Sequence, residues 1–105
     1  MKMIIFGSTL DRAIKKMNSI INYCNKIGKE VKETIKTSNE YRVIFKNGDI
    51  IRAIQGNENI HGLRANVGLI DKAIPKAVRE QIIKPCISAF PWNAIGYYNI
   101  EEKKD

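Results

Sequence analysis

Two short runs of this chain are apolar at every position: Met3-Ile4-Ile5-Phe6 and Val67-Gly68-Leu69-Ile70. A strand with one wet face alternates apolar and polar residues. These runs do not, so each needs cover on both faces, as interior strands of a parallel sheet do. Parallel neighbours need a crossover connection, usually helical. The chain has 105 residues, enough for one small domain built around one core.

The segment after the first run supplies a helix. Leu10, Ile14, Met17, Ile21 and Cys24 recur at spacings of four and three, and Ala13, Ile20 and Ile27 widen the stripe. This predicts a helix over 9–27, with Ser8 as N-cap, Asp11 three residues on, and Gly28 just past the end. Residues 29–40 are mostly polar; Val31, Glu33 and Ile35 share one parity of an edge strand. Two β-rich runs then flank Asn47-Gly48, the signature of a hairpin with a type I′ turn. Residues 55–66 form a polar loop suited to ordering on a ligand. Pro75 fits the first position of a second helix carrying Val78, Ile82 and Ile83, which ends before Pro85. A short strand is expected near 95–100, and residues 101–105 form a charged, frayed tail. The expected architecture is α/β: a two-layer or three-layer-like domain over residues 1–100, with short parallel strands, a hairpin and two helices. Strands 2–6 and 67–71 should be parallel neighbours or near-neighbours.

Composition narrows the function classes. No apolar run is long enough to span a bilayer, and the N-terminus does not read as a signal peptide. One histidine and no Cys-x-x-Cys argue against zinc, and two distant cysteines in apolar settings read as thiols in a reducing compartment. The net charge of +7 is uneven: residues 1–52 carry 11 Lys/Arg against 5 Asp/Glu, whereas residues 53–105 carry 7 against 6. A basic half can attract nucleic acid or an acidic partner, although a lysine-rich solvated surface has the same composition. The candidate nucleic-acid contacts are Arg12, Lys15 and Lys16 on the helix and Arg42, Lys46 and Arg52 on the hairpin. His61 and Arg64 are candidate anion or phosphate contacts in the loop. Trp92, Tyr97 and Tyr98 belong either to a binding surface or to core packing of the tail. Cys86 has no assignable base and is not read as a nucleophile.

Taken in order, "YRVIFKNGDIIRAI", the His61-Gly62-Leu63-Arg64 loop and "VGLIDKAIPKAVREQIIKP" resemble the middle of the ATPase domain of phage large terminase subunits. "MIIFGSTLDRAIKKMNSII" fits the strand, turn and helix that precede them in that family. The resemblance runs over residues 2–85 and implies a P-loop NTPase fold. It also puts Asp71 at the magnesium-holding acid of the Walker-B strand. Here the departures begin. Lys72 stands where that family has a catalytic glutamate, and His61-Gly62 where it has an Arg-Gly pair. The sequence contains no G-x-x-x-x-G-K-[ST]; Gly28-Lys29, its one Gly-Lys pair, is followed by Glu30 at a helix exit. An ammonium at position 72 opposes a nearby cation and cannot take a proton from water while charged.

These residues imply a truncated, degenerate relative in which Asp71 and Lys72 mark a decayed Walker-B position. The alternative is that Asp71 caps the following helix, accepting N–H bonds near Ile74 or Lys76. The expected function is non-catalytic: a phage or prophage protein in the cytoplasm of a bacterial host, without cofactor or metal. It would act as a protein-interaction module, as a homodimer or higher oligomer, or as a terminase mimic or inhibitor bound to a phage or host protein. The alternatives are a weak nucleic-acid-binding accessory protein and a prophage remnant.

Overall fold

The computed structural model describes residues 1–60, 62–87 and 92–100. Six strands form one mixed sheet in the order β2-β3-β4-β1-β5-β6: β1 (Lys2–Gly7), β2 (Val31–Lys36), β3 (Glu40–Phe45), β4 (Ile50–Gln55), β5 (Val67–Asp71) and β6 (Ala94–Tyr98). The two unalternating runs lie side by side, β1 pairing in parallel with β5 and, on its other side, with β4. β6 extends the parallel part, while β3 and β2 add an antiparallel wing.

Both faces are covered, as the apolar runs require. Helix α1 (Leu10–Lys26) lies over β1 and β4. Its Ala13, Met17 and Cys24 pack with Ile5, Val43, Phe45, Ile51 and Ala53. The alternate positions, Ile4, Phe6, Ile54 and Ile70, face the other way and meet Ala65, Ile74, Ile83 and Ile87. Ile83 and Ile87 come from a second helical segment in three consecutive pieces: α2 (Lys76–Val78), a π-helical turn (Arg79–Ile83) and α3 (Lys84–Ile87). The domain is therefore three-layered. A Cβ at Gly68 would lie 2.0 Å from the Ile87 side chain, so the bare backbone there is what lets this segment approach β5.

Local chemistry adjusts four expectations. Thr9, not Ser8, is the N-cap of α1, its hydroxyl accepting from Arg12 N–H, because Ser8 is bonded elsewhere. At the other end, Gly28 (φ +79°) donates to Asn25 O and Lys29 donates to Cys24 O, the paired bonds of a Schellman motif. The hairpin forms, but Gly48 alone has positive φ and its N–H donates to Phe45 O, so its loop is Lys46-Asn47-Gly48 rather than a two-residue type I′ turn. Asn47 Oδ1 takes the Asp49 N–H, and Asp49 binds the N-terminal ammonium at 2.9 Å and the Lys29 ammonium. Those two cations pull the Asp49 carboxyl down to about 2, Lys29 contributing most. Finally, Pro75 precedes the second helical segment rather than starting it, and Pro85 lies inside that segment instead of ending it. Lys84 is α-helical despite the proline after it, and its N–H reaches back to Arg79 O. The wide π turn takes up one extra residue there and so accommodates a ring that a regular helix would reject.

Candidate functional site

β1 connects through α1 and the antiparallel wing to β4 on one side, whereas β5 connects through the second helical segment to β6 on the other. The chain therefore changes direction between β1 and β5. In an open α/β sheet, the crevice beyond the carboxyl ends of two such strands is the usual ligand site. Asp71, the last residue of β5, sits in it and is fully buried.

Its carboxylate is saturated. Oδ2 accepts from Ser8 N–H at 3.0 Å, Ser8 Oγ–H at 3.0 Å and Arg12 Nε–H at 2.6 Å. Oδ1 accepts from Arg12 Nη2–H at 3.0 Å and Ala73 N–H at 3.0 Å. Burial alone would push this carboxyl up. The Arg12 fork and the Ser8 and Ala73 donors outweigh it, holding the group ionised well below the usual carboxylate range. Arg12 is within reach because it lies in the first turn of α1, which rises directly from the end of β1. That turn is tight: a Cβ at Gly7 would lie 2.3 Å from Thr9 O. Tyr98, at the end of β6, closes a further side, donating its hydroxyl proton to Phe6 O at 2.9 Å. Burial, first, and the Asp71 charge push the Tyr98 phenol up.

This geometry corrects two expectations. Arg12 does not face a solvent-borne polyanion; its guanidinium is the bidentate partner of Asp71, with the side chain 15% exposed. Nor does Asp71 cap the next helix: it accepts from Ala73, ahead of that helix, whose N-cap residue Pro75 makes no side-chain capping bond. Lys72 is exposed, its backbone N–H donating to Tyr98 O.

The other candidate cations separate into groups. Lys15 is exposed on α1, and the Lys16 ammonium lies 5.7 Å from the Tyr98 ring centroid. Lys46 pairs with Glu30 at 2.7 Å on the surface. Arg42 and Arg52 are directly opposite across β3 and β4. They alternate with Val43, Ile51 and Ala53, which face α1, so they lie on the opposite side of the sheet from Lys15 and Lys16. Glu40 binds both: Arg42 through Nε and Nη2 at 3.1–3.2 Å, and Arg52 through Nε. Burial would raise the Glu40 carboxyl, but the two guanidiniums, Arg52 first, lower it. Arg64 is exposed in the loop before β5 and, with Arg42, Arg52 and Lys2, lines a pocket of about 300 Å³. Sequence reasoning missed Ser8 as an Asp71 donor, Glu40 as the common partner, and Lys2. Lys2 was legible in principle, because it shares a strand parity with Ile4. His61 lies outside the described residues.

A second cavity, of about 430 Å³, opens beyond the carboxyl end of β4. Ser38, Asn39, Gln55, Asn57 and Asn59 provide its polar lining, and no charged side chain lines it among the described residues. Amides and a hydroxyl suit a neutral hydrogen-bonding ligand and offer no counter-charge to a triphosphate. The two cysteines are free: Cys24 is in α1 and Cys86 is across the sheet, where its thiol donates to Ile82 O at 3.3 Å and burial pushes its pKa up. No group of three or more His, Cys, Asp or Glu side chains able to hold a metal exists among the described residues.

No protein-family model matches this chain, and no curated protein matches its sequence. Among solved structures it is similar to the large terminase from a thermophilic bacteriophage, with a TM-score of 0.64 over 91% of this chain at 15% sequence identity. The match spans 24% of that terminase. The likeness is one of fold: the chain folds as a distant counterpart of part of a phage large terminase.

Proposed function

We propose that this chain is a phage-type binding module on a terminase-like fold, acting through protein contacts and not through nucleotide hydrolysis. One observation carries the reading. The carboxylate of Asp71, the acid best placed in the switch-point crevice to hold a magnesium shell, already accepts five hydrogen bonds, two of them from Arg12. A guanidinium supplies the positive charge that a cation would bring, and it leaves that carboxylate no free lone pair. The exposed ammonium of Lys72 points the same way, as does the cavity beyond β4, whose described lining carries no charge.

The protein-contact part draws on β6. This terminal strand of the sheet carries no charge, and Ile95 and Tyr97 are exposed along it, with Trp92 exposed just before it. Edge strands of this kind accept a strand from another chain. A terminase-like fold with such an edge suits self-association, or competition for a protein that recognises terminase. The test of the non-catalytic reading is magnesium-dependent ATP and GTP hydrolysis by the purified protein. We expect none above background; turnover that Asp71→Ala abolishes would overturn it.

A further inference from the structure

We infer that the pocket at the amino-terminal ends of β1 and β4 is an anion site that takes a phosphate group. Four elements bring cations to it: Lys2 from β1, Arg42 from β3, Arg52 from β4 and Arg64 from the loop before β5, over an apolar floor that includes Ile4 and Ile50. The register makes them converge. Lys2 pairs with Ile50 and Ile4 with Arg52 across the parallel ladder, and Arg42 faces Arg52 across the antiparallel one.

Like charges directly opposite on adjacent strands repel. Glu40 offsets part of this by accepting from both arginines, but one carboxylate serves two guanidiniums. Arg42 keeps Nη1 and Arg52 keeps both terminal nitrogens outside those bonds. Lys2 and Arg64 have no ion pair among the described residues. Four cations against one anion leave a concentrated positive excess in a concave, partly apolar site, which focuses the field. An entering phosphate relieves the repulsion and meets the planar forks that suit its oxygens. The volume of about 300 Å³ is at the small end for ligand sites and matches one or two phosphate groups. This end of the strands is remote from Asp71, so the inference stands or falls independently of the non-catalytic reading.

The test is an NMR titration of the arginine Nε–Hε signals with inorganic pyrophosphate. Saturable shifts at Arg42, Arg52 and Arg64 are expected. Arg64→Glu should weaken binding roughly tenfold or more, as loss of a charge-assisted bond does; Arg64→Ala should weaken it in the same direction, and Lys15→Glu should not. Arg64 is exposed, and the folded spectrum of each variant checks that the protein remains intact. A duplex oligonucleotide is added as competitor. Displacement of pyrophosphate identifies backbone phosphate as the natural source, and failure to displace it identifies a free phosphate ester. Either outcome supports a phosphate site. No saturable shift, or binding unchanged in both Arg64 variants, overturns it.

Discussion

The two ends of the parallel strands treat charge in opposite ways. At the carboxyl ends, Asp71 and Arg12 meet in a buried bidentate pair, Ser8 and Ala73 complete the carboxylate's bonds, and the charge is closed on itself. At the amino ends, Arg42 and Arg52 share a single carboxylate while Lys2 and Arg64 stand beside them, and the charge is left open. The first arrangement satisfies its charges within the fold. The second strains against its own repulsion and invites a ligand. Substitutions at the two ends should therefore separate stability from binding.

The largest effect is expected at the closed end. Asp71→Ala removes the carboxylate that the largely buried Arg12 guanidinium binds, and breaking a buried pair from one side costs about 3–5 kcal/mol. Urea unfolding should record a loss of that order with an unchanged m-value. The pH dependence has a definite sign. The Asp71 carboxyl is held below its unfolded value, so its contribution is complete above about pH 4–5 and is lost as pH falls toward the folded value. Asp49, pulled down to about 2, adds a smaller loss of the same sign. Asp71→Asn should flatten most of this acid limb. An acid limb as steep in Asp71→Asn as in the wild type would show that the closed pair does not carry it.

The sheet's two outer strands form a second contrast and the next largest expected effect. Ile35 in β2 and Ile95 in β6 are equally exposed, at 36% each. Ile35 sits among Lys32, Glu33 and Lys36, with a register shift between Val31 and Glu33, the charged and irregular features that blunt an edge. Ile95 shares its strand with Tyr97 and follows Trp92, and β6 has no charged residue of its own, although Arg79 and Lys84 lie 5.8 and 6.0 Å from the Tyr97 ring centroid. If β6 carries self-association, Ile95→Lys should abolish it in light scattering at all accessible concentrations, and Ile35→Lys should leave it unchanged. Equal behaviour of the two variants would remove β6 from the reading.

These contrasts also mark how far the sequence could be read. The unalternating runs placed β1 and β5 correctly because covering both faces of a strand is a property of the strand itself. The stripe of α1, the hairpin and the edge strand β2 are local signals of the same kind. The turn type at Asn47-Gly48 was misread because the same dipeptide serves both a two-residue loop and a three-residue loop with one left-handed glycine. Pro85 was misread because a π turn has no short sequence signature. Arg12 was taken for a surface cation because it falls among Lys15 and Lys16. Its true partner is 59 residues away and becomes visible only when β5 is laid beside β1. Arg42 and Arg52 were read as nucleic-acid contacts and Arg64 as a separate anion contact; that all three line one pocket with Lys2 depends on strand register, which single-residue patterns do not encode.

The smallest expected effect tests whether the basic half of the chain acts as one surface. If Arg12, Lys15, Lys16, Arg42, Lys46 and Arg52 all met one duplex, about six phosphates would be neutralised, and log affinity would fall against log salt with a slope of roughly −5. The structure divides these residues. Arg12 is committed to Asp71, Lys46 to Glu30, and Lys16 lies against Tyr98, while Arg42 and Arg52 face the other side of the sheet. A duplex docked at the pocket would meet Lys2, Arg64 and the free edges of the two arginines, giving a slope no steeper than about −3 to −4. Lys15→Glu combined with Lys16→Glu should leave that slope within about one unit of the wild-type value, whereas Arg64→Glu should reduce it by about one. A slope that collapses only in the helix variant would place nucleic acid on the α1 face. It would also mean that the open charge at the amino ends serves a ligand other than a duplex.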